Sequence, residues 1–255
     1  LANSQRKYKL YFNLLHSKMR EYSVDERNTY NMDEKGFFVG INSHTKRIVS
    51  KTIWESKERT TALRDGNRAW VTLLACVCAS EEALPPALIY QDTSGIQLTW
   101  VDNLVAKQHQ VFTSHSATGW SNNNLGLAWL QQVFDCYTAA KARRQWRLLI
   151  LDGHGSHLTP EFLEYCNANC ILLMVFPPHS THSLQPLDVA LFAPLSRHYT
   201  EKLTHYLQQT QGLMRITKRD FYSSFWLAWS STMTPELILK SFQATGMWQW
   251  MRTLF

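Results

Sequence analysis

The chain has 255 residues, 45% of them hydrophobic and 13% aromatic, enough apolar surface to offset the ordering entropy of a large domain, which excludes a wholly disordered chain. Lys+Arg number 26 against 20 Asp+Glu, a formal charge of +6 at pH 7, with a pI near 9.1; this basic balance suits a polyanionic partner. The longest apolar run, Ala69 to Ala79, spans eleven residues and contains Thr72, short of the roughly 20 a membrane-crossing helix needs, so no membrane partner is expected. No secretory leader is expected at the amino end, and Leu1 in place of Met predicts a piece of a longer protein.

The five cysteines, Cys76, Cys78, Cys136, Cys166 and Cys170, are odd in number and sit in apolar runs, the pattern of buried thiols in a reducing compartment rather than of a disulfide framework. Cys166 and Cys170 lie four apart, but no second pair has metal-ligand spacing, so they too read as buried thiols rather than half a zinc site.

In chain order, residues 4–22 carry Tyr8, Tyr11, Phe12, Leu15, Met19 and Tyr22 at three- and four-residue steps, with Arg6, Lys7, Lys9, Lys18 and Arg20 between them. That spacing predicts an amphipathic basic helix, a linker or packing helix with a solvated charged face. Thr29 to Asp33 reads as a short strand ending at an acid and followed by a turn at Lys35-Gly36. Trp70 to Ala79 and Ala87 to Gln91 read as two more strands, and their short links predict antiparallel pairing. The polar stretch 92–122 reads as a loop or insertion. Leu125, Ala128, Trp129, Val133, Cys136 and Tyr137 resume helical spacing.

Arg147 to Leu151 is a continuous apolar run closed by Asp152 and Gly153, the signature of a buried parallel strand at its carboxyl edge. Thr159-Pro160-Glu161 predicts a helix start, with closure near Asn169. Ile171 to Phe176 is a second apolar strand broken by Pro177-Pro178, and Leu187 to Leu207 reads as a long helix with Asp188 in its first turn. Strand, helix and strand form a βαβ crossover. Two further helices are expected, one capped by Thr217 with Asp220 three residues on and one begun by Thr234-Pro235-Glu236. Trp226 and Trp229 on the first of these read as core.

The fold class this predicts is α/β, a mixed five-stranded sheet flanked by helices, with additional N- and C-terminal helices. Residues 1–24 form a linker helix, 25–210 the sheet domain with 92–122 as its loop or insertion, and 211–255 a helical extension. Asp33, Asp152 and Asp188 fall at strand ends or at the helix start that follows one. Taken singly, each has an ordinary structural reading: a solvated strand end, a residue before a Gly turn, an acid favoured by a helix dipole. Gathered at one edge, three carboxylates raise one another's pKa and call for a divalent cation.

The blocks Asn31 to Phe37, Leu149 to His157 and Phe176 to Val189, together with Gly119-Trp120 and Ser241 to Gly246, resemble the motifs of pogo-like DDE transposases of the mariner/pogo superfamily, across most of residues 25–246. The resemblance implies a ribonuclease-H-like fold with Asp33, Asp152 and Asp188 as catalytic and metal-binding acids. It implies two Mg²⁺ or Mn²⁺ ions, cleavage at transposon ends followed by strand transfer, and double-stranded DNA, both transposon ends and target, as the partner of a nuclear protein that forms a homodimer. Glu34, next to Asp33, points to the opposite face of a strand and is not enlisted.

His154, His157, His179, His182 and Gln185 match the family's motif wording, which implies a role behind the acids or facing DNA rather than as zinc ligands; Gln185 and Pro186 shape the turn that delivers Asp188. Lys46, Arg47, Lys51, Lys141, Arg143, Arg144, Arg147, Arg197, Lys202, Lys218 and Arg219 offer phosphate contacts, and Trp120 in its polar loop an unpaired-base contact. The helix-turn-helix domains with which the family finds its ends have no room before residue 25. The closing Met247 to Trp250 lacks the family's usual proline, which predicts truncation or decay there. Two other readings stay open: a domesticated, non-catalytic DNA- or chromatin-binding protein, and a nuclease of the same fold without strand transfer.

Overall fold

The computed structural model describes residues 2–39, 69–105, 108–153, 158–210 and 216–247. Their scaffold is one six-stranded sheet whose strands are β1 (Thr29–Phe38), β2 (Trp70–Cys78), β3 (Ala87–Gln91), β4 (Phe112–Ser116), β5 (Arg147–Leu151) and β6 (Ile171–Val175). Across the sheet the order is β4-β3-β2-β1-β5-β6. β1, β2 and β3 pair antiparallel, whereas β1 with β5, β5 with β6 and β3 with β4 pair parallel. The helices are α1 (Ala2–Glu21), α2 (Asn123–Trp129), α3 (Cys136–Ala142), α4 (Pro160–Ala168), the short α5 (Thr181–Leu184), α6 (Phe192–Gln209), α7 (Lys218–Thr232) and α8 (Pro235–Ala244).

β2 and β5 read as unbroken apolar runs because helices cover both faces of the sheet, and β5 is buried at all five positions. On one face Leu148, Ile150, Leu73 and Phe37 pack with Tyr11, Phe12 and Leu15 of α1 and with residues of α6, α7 and α8. On the other, Tyr30, Met32 and Leu149 pack with Trp129 of α2, Phe162 of α4 and Phe134 of the π-helical turn Leu130–Asp135 that joins α2 to α3. Period-two alternation along β1 sends Tyr30 and Met32 to the second core and Phe37 to the first. Each core lines one face of the sheet, so the strand ends between them stay open for chemistry.

Local signals start and stop the helices as expected. The Thr159 hydroxyl accepts from the Phe162 N–H with Pro160 in the first turn, Thr217 and Asp220 form a capping box, and Thr234 accepts from Leu237 N–H ahead of Pro235. Helix α4 ends at Ala168, next to the expected Asn169.

Two expectations are corrected. The sheet has six strands rather than five, because 92–122 holds β4, paired parallel with Ala87 to Gln91. Phe112 is its only large apolar residue and the strand is half-buried at the sheet edge, so hydrophobic alternation gives it no signal. And β1 does not stop at Asp33: it runs through Lys35-Gly36 to Phe38. Gly36 makes no turn. A Cβ on it would lie 1.7 Å from Cζ2 of Trp70, so its missing side chain is the space in which the Trp70 ring lies across the strand.

Candidate active site

Asn31, Asp33, Lys35 and Phe37 alternate onto the face of β1 that looks toward α6. Asn31 pairs with Ile150 of the parallel strand β5. Carrying that register on by two residues sets Asp33 level with Asp152, the residue that follows β5. The third acid arrives from the other side of the crossover: after β6 the chain turns at Pro177-Pro178, forms α5 and enters a π-helical turn, Leu187–Leu191, with Asp188 in second place. That turn leads directly into α6.

Asn31 ties these segments together. It is fully buried; its Nδ2 donates to the Ile150 carbonyl at 3.1 Å and its Oδ1 accepts from the Leu187 N–H at 3.3 Å. One amide therefore spaces the strand that carries Asp152 and the turn that carries Asp188 from the strand that carries Asp33. Gln185, also fully buried, donates from Nε2 to the Met32 carbonyl at 3.4 Å and hydrogen-bonds the Asp33 carboxyl. The Glu34 N–H donates to Asp33 Oδ1 at 2.8 Å.

The electrostatics bear the mark of crowded negative charge. Burial, and then the charges of Asp188 and Asp152, push the Asp33 carboxyl well above the ordinary carboxylate range, against the pull of its bonds from Gln185 and Glu34. Asp188, on a residue open to solvent, is likewise raised, first by lost hydration and further by Asp152, while Lys35 and His182 favour its ionised form. So the structure brings Asp33, Asp152 and Asp188 within one another's fields. Among the described residues, no group of three His, Cys, Asp or Glu side chains is drawn tightly enough to hold a metal ion.

The remaining expected site residues are dispersed. Gln185 lies behind Asp33, and His182 is exposed on α5 near Asp188. His179 is exposed with a left-handed backbone, φ 62°. His154, His157, Lys46, Arg47, Lys51, Trp248 and Trp250 lie outside the described residues. Glu34 does point away from the acids, where it accepts from the Ser121 hydroxyl. Trp120 is 49% exposed and packs on Trp70 with ring centroids 4.9 Å apart.

Arg143, Arg144, Arg197 and Lys202 are exposed. Arg147 is not available to a phosphate: it is 3% exposed, its guanidinium bonded to Asp135 at 2.7 Å, Thr138 at 2.9 Å and the Asn169 carbonyl. Lys218 is similarly engaged, by Asp92 at 2.9 Å and over the Trp100 ring at 4.2 Å. Among the tryptophans of α7, Trp229 is core and Trp226 packs half-buried on His109. Asn31 and Lys35 are the site residues that sequence reasoning missed. Their signal was positional, two residues to either side of Asp33 and therefore on its face.

The fold is shared with solved transposase structures. The Mos1 transposase catalytic domain, determined with raltegravir and Mg, superposes at a TM-score of 0.53 with 12% identity, covering 97% of this chain and 93% of that one. The Mos1 mariner paired-end complex with Mn gives 0.53 at 15% identity, over 97% of this chain and 60% of that one. The shared architecture is the ribonuclease-H-like mixed sheet flanked by helices. Among curated proteins, one from Cochliobolus lunatus named as the MFS-type transporter clz9 is 33% identical over 227 residues, 89% of this chain and 24% of that protein. A human pogo transposable element with ZNF domain is 24% identical over 122 residues, 48% of this chain and 8% of that protein. The chain thus spans about a quarter or less of the curated relatives it matches. No helix among the described residues is long and apolar enough to cross a membrane. The model of the DDE superfamily endonuclease family matches residues 67–242, a stretch that holds Asp152 and Asp188 and begins after Asp33; the chain belongs to that family.

Proposed function

We propose that this chain is the catalytic domain of a transposase that cuts DNA at element ends and joins the freed 3′-hydroxyl to target DNA, with Asp33, Asp152 and Asp188 as the acids that hold its metal. The observation that carries this reading is that Asp33 on β1, level with Asp152 after β5, lies in the field of Asp152 and Asp188 within a DDE-family fold. The donor set is all oxygen and suits a hard divalent ion. The Asp33 and Asp188 carboxyls, raised by burial and further by neighbouring carboxylates, mark a site that a cation relieves. The Mos1 relatives determined with Mg and with Mn, one of them in a paired-end complex, support the choice of ion and of partner. Two divalent ions held by Asp33, Asp152 and Asp188 would supply an activated water or 3′-hydroxyl and a counter-charge for the leaving oxygen.

The protein's own groups would fix the acids and the substrate. Asn31 holds the Asp152 and Asp188 segments to β1, and Gln185 orients the Asp33 carboxyl. His182 favours the ionised form of Asp188 against the burial and the Asp152 charge that oppose it, and His179, exposed just before α5, faces the DNA side. Arg143, Arg144, Arg197 and Lys202 contact backbone phosphates, and Trp120 offers a ring to an unpaired base. The assembly is a homodimer on duplex DNA, in the nucleus.

A second reading, a DNA-binding protein that keeps the fold without turnover, is favoured by the absence, among the described residues, of a ready three-ligand group. Incubation with Mn²⁺ and labelled duplex carrying the element's terminal repeats separates the two. Cleavage with joining that is lost in Asp152→Asn supports the transposase, cleavage alone leaves only a nuclease, and binding without any cleavage overturns both in favour of the second reading.

A further inference from the structure

β1 places one cation on the same face as Asp33. Lys35 follows it by two residues, and its ammonium sits 5.8 Å from the centroid of the Phe192 ring. Phe192 is 2% exposed and opens α6 four residues after Asp188, about one helical turn along, so a lysine lying over that ring stands beside the Asp188 column. The stem of Lys35 is half-buried while its charge reaches Asp188. Among the described residues, no hydrogen bond or close ion pair occupies its N–H donors. A long flexible side chain thus has its apolar part anchored on an aromatic face and its head presented, unbonded, at the rim of three acids. An ammonium with three unmatched donors at the edge of an anionic cluster is suited to an oxyanion that the cluster itself repels.

We propose that Lys35 is a substrate-contacting residue of this site, donating to a non-bridging oxygen of the DNA phosphodiester at or next to the cleaved linkage. This rests on the transposase reading and deepens it. The phosphodiester brings negative charge to a face that already holds three carboxylates, and the ammonium supplies attraction where the acids oppose approach. During cleavage, negative charge grows on the phosphate oxygens, so a donor already placed there stabilises the transition state more than the bound substrate.

The test compares the parent with Lys35→Met, which keeps an apolar stem over Phe192, and with Lys35→Arg. Duplex binding is followed by fluorescence anisotropy across a KCl series in Ca²⁺, with product formation checked on the same samples, and single-turnover cleavage is followed in Mn²⁺. Lys35→Met should lower the slope of log K against log[salt] by about one and slow cleavage on the order of 10²-fold. The circular dichroism spectrum should stay unchanged, and Lys35→Arg should recover the slope and part of the rate. An unchanged slope overturns the proposal, including the case in which only the pH profile of cleavage moves, because that assigns Lys35 a purely electrostatic effect on Asp188. If the parent binds DNA but never cuts it, the slope still decides for or against Lys35 while the transposase reading fails. If the parent cuts and Lys35→Met changes neither slope nor rate, the reaction stands and the assignment of Lys35 falls. A parent that does not bind DNA overturns both.

Discussion

Replacing Asn31 by Leu removes the amide that joins the three acid-bearing segments and leaves the volume nearly filled. The Leu187 N–H, bonded at 3.3 Å, then loses its partner in a fully buried setting, while the Ile150 carbonyl, bonded at 3.1 Å, loses the side-chain donor and keeps its place in the β1–β5 ladder. A buried polar group left unmatched costs about 1–3 kcal/mol and a lost hydrogen bond about 1 kcal/mol, offset in part by the apolar surface of Leu, so the net loss is about 2 kcal/mol. For a chain of this size each 1 kcal/mol moves Tm by about 2–4 °C, which gives a fall of about 4–8 °C in a calorimetric or fluorescence melt. Asn31→Asp should be worse at neutral pH, because it keeps an acceptor for Leu187, loses the donor to Ile150 and buries a further carboxylate near Asp33. A Leu variant that melts within about 2 °C of the parent and binds Mn²⁺ as tightly would refute the role given to Asn31.

The raised carboxyls of Asp33 and Asp188 make stability depend on pH with a definite sign. A group whose pKa rises on folding contributes stability that is full below its unfolded value and is lost as pH rises through its folded value. The metal-free protein should therefore lose Tm as pH climbs from the ordinary carboxylate range of the unfolded chain through the raised range above it. Asp33→Asn should flatten that fall and raise the metal-free Tm at pH 7 while abolishing cleavage; a lower Tm contradicts the account of buried, crowded charge. Gly36→Ala should cost about 1–3 kcal/mol and shift tryptophan fluorescence, because its Cβ would fall 1.7 Å from the Trp70 ring; an unchanged emission spectrum contradicts this. Arg147→Met strands Asp135, whose carboxylate also accepts from Tyr165 at 2.9 Å, and should cost about 3 kcal/mol, measured by urea unfolding, without altering DNA affinity.

What could be read from the sequence follows from how each residue announces itself. Asp152 ends an apolar run buried at every position, and a charge at such a boundary has few places to be except a strand edge. Asp188 follows a proline break and opens a helix, again a boundary. Asp33 was located on the right strand but not within it, because Gly36 ordinarily signals a turn and nothing local revealed that the ring of Trp70 fills its place. β4 stayed hidden because a polar edge strand has no apolar alternation to show. The π-helical turns at Leu130–Asp135 and Leu187–Leu191 leave helical spacing nearly intact and are invisible to a count of three- and four-residue steps. Arg147 looked like a surface cation because its partner Asp135 lies twelve residues away across a helix and a turn. A buried asparagine on an otherwise apolar strand face must have partners, and Asn31, two residues before a proposed metal acid, could have been enlisted on that ground.

Mn²⁺ titrated into the metal-free protein and followed by electron paramagnetic resonance probes the three acids without reference to DNA. Bound Mn²⁺ should be present in the parent and lost in each of Asp33→Asn, Asp152→Asn and Asp188→Asn, with all three variants folded by circular dichroism. Binding that survives any one of the three substitutions undiminished would contradict a shared site.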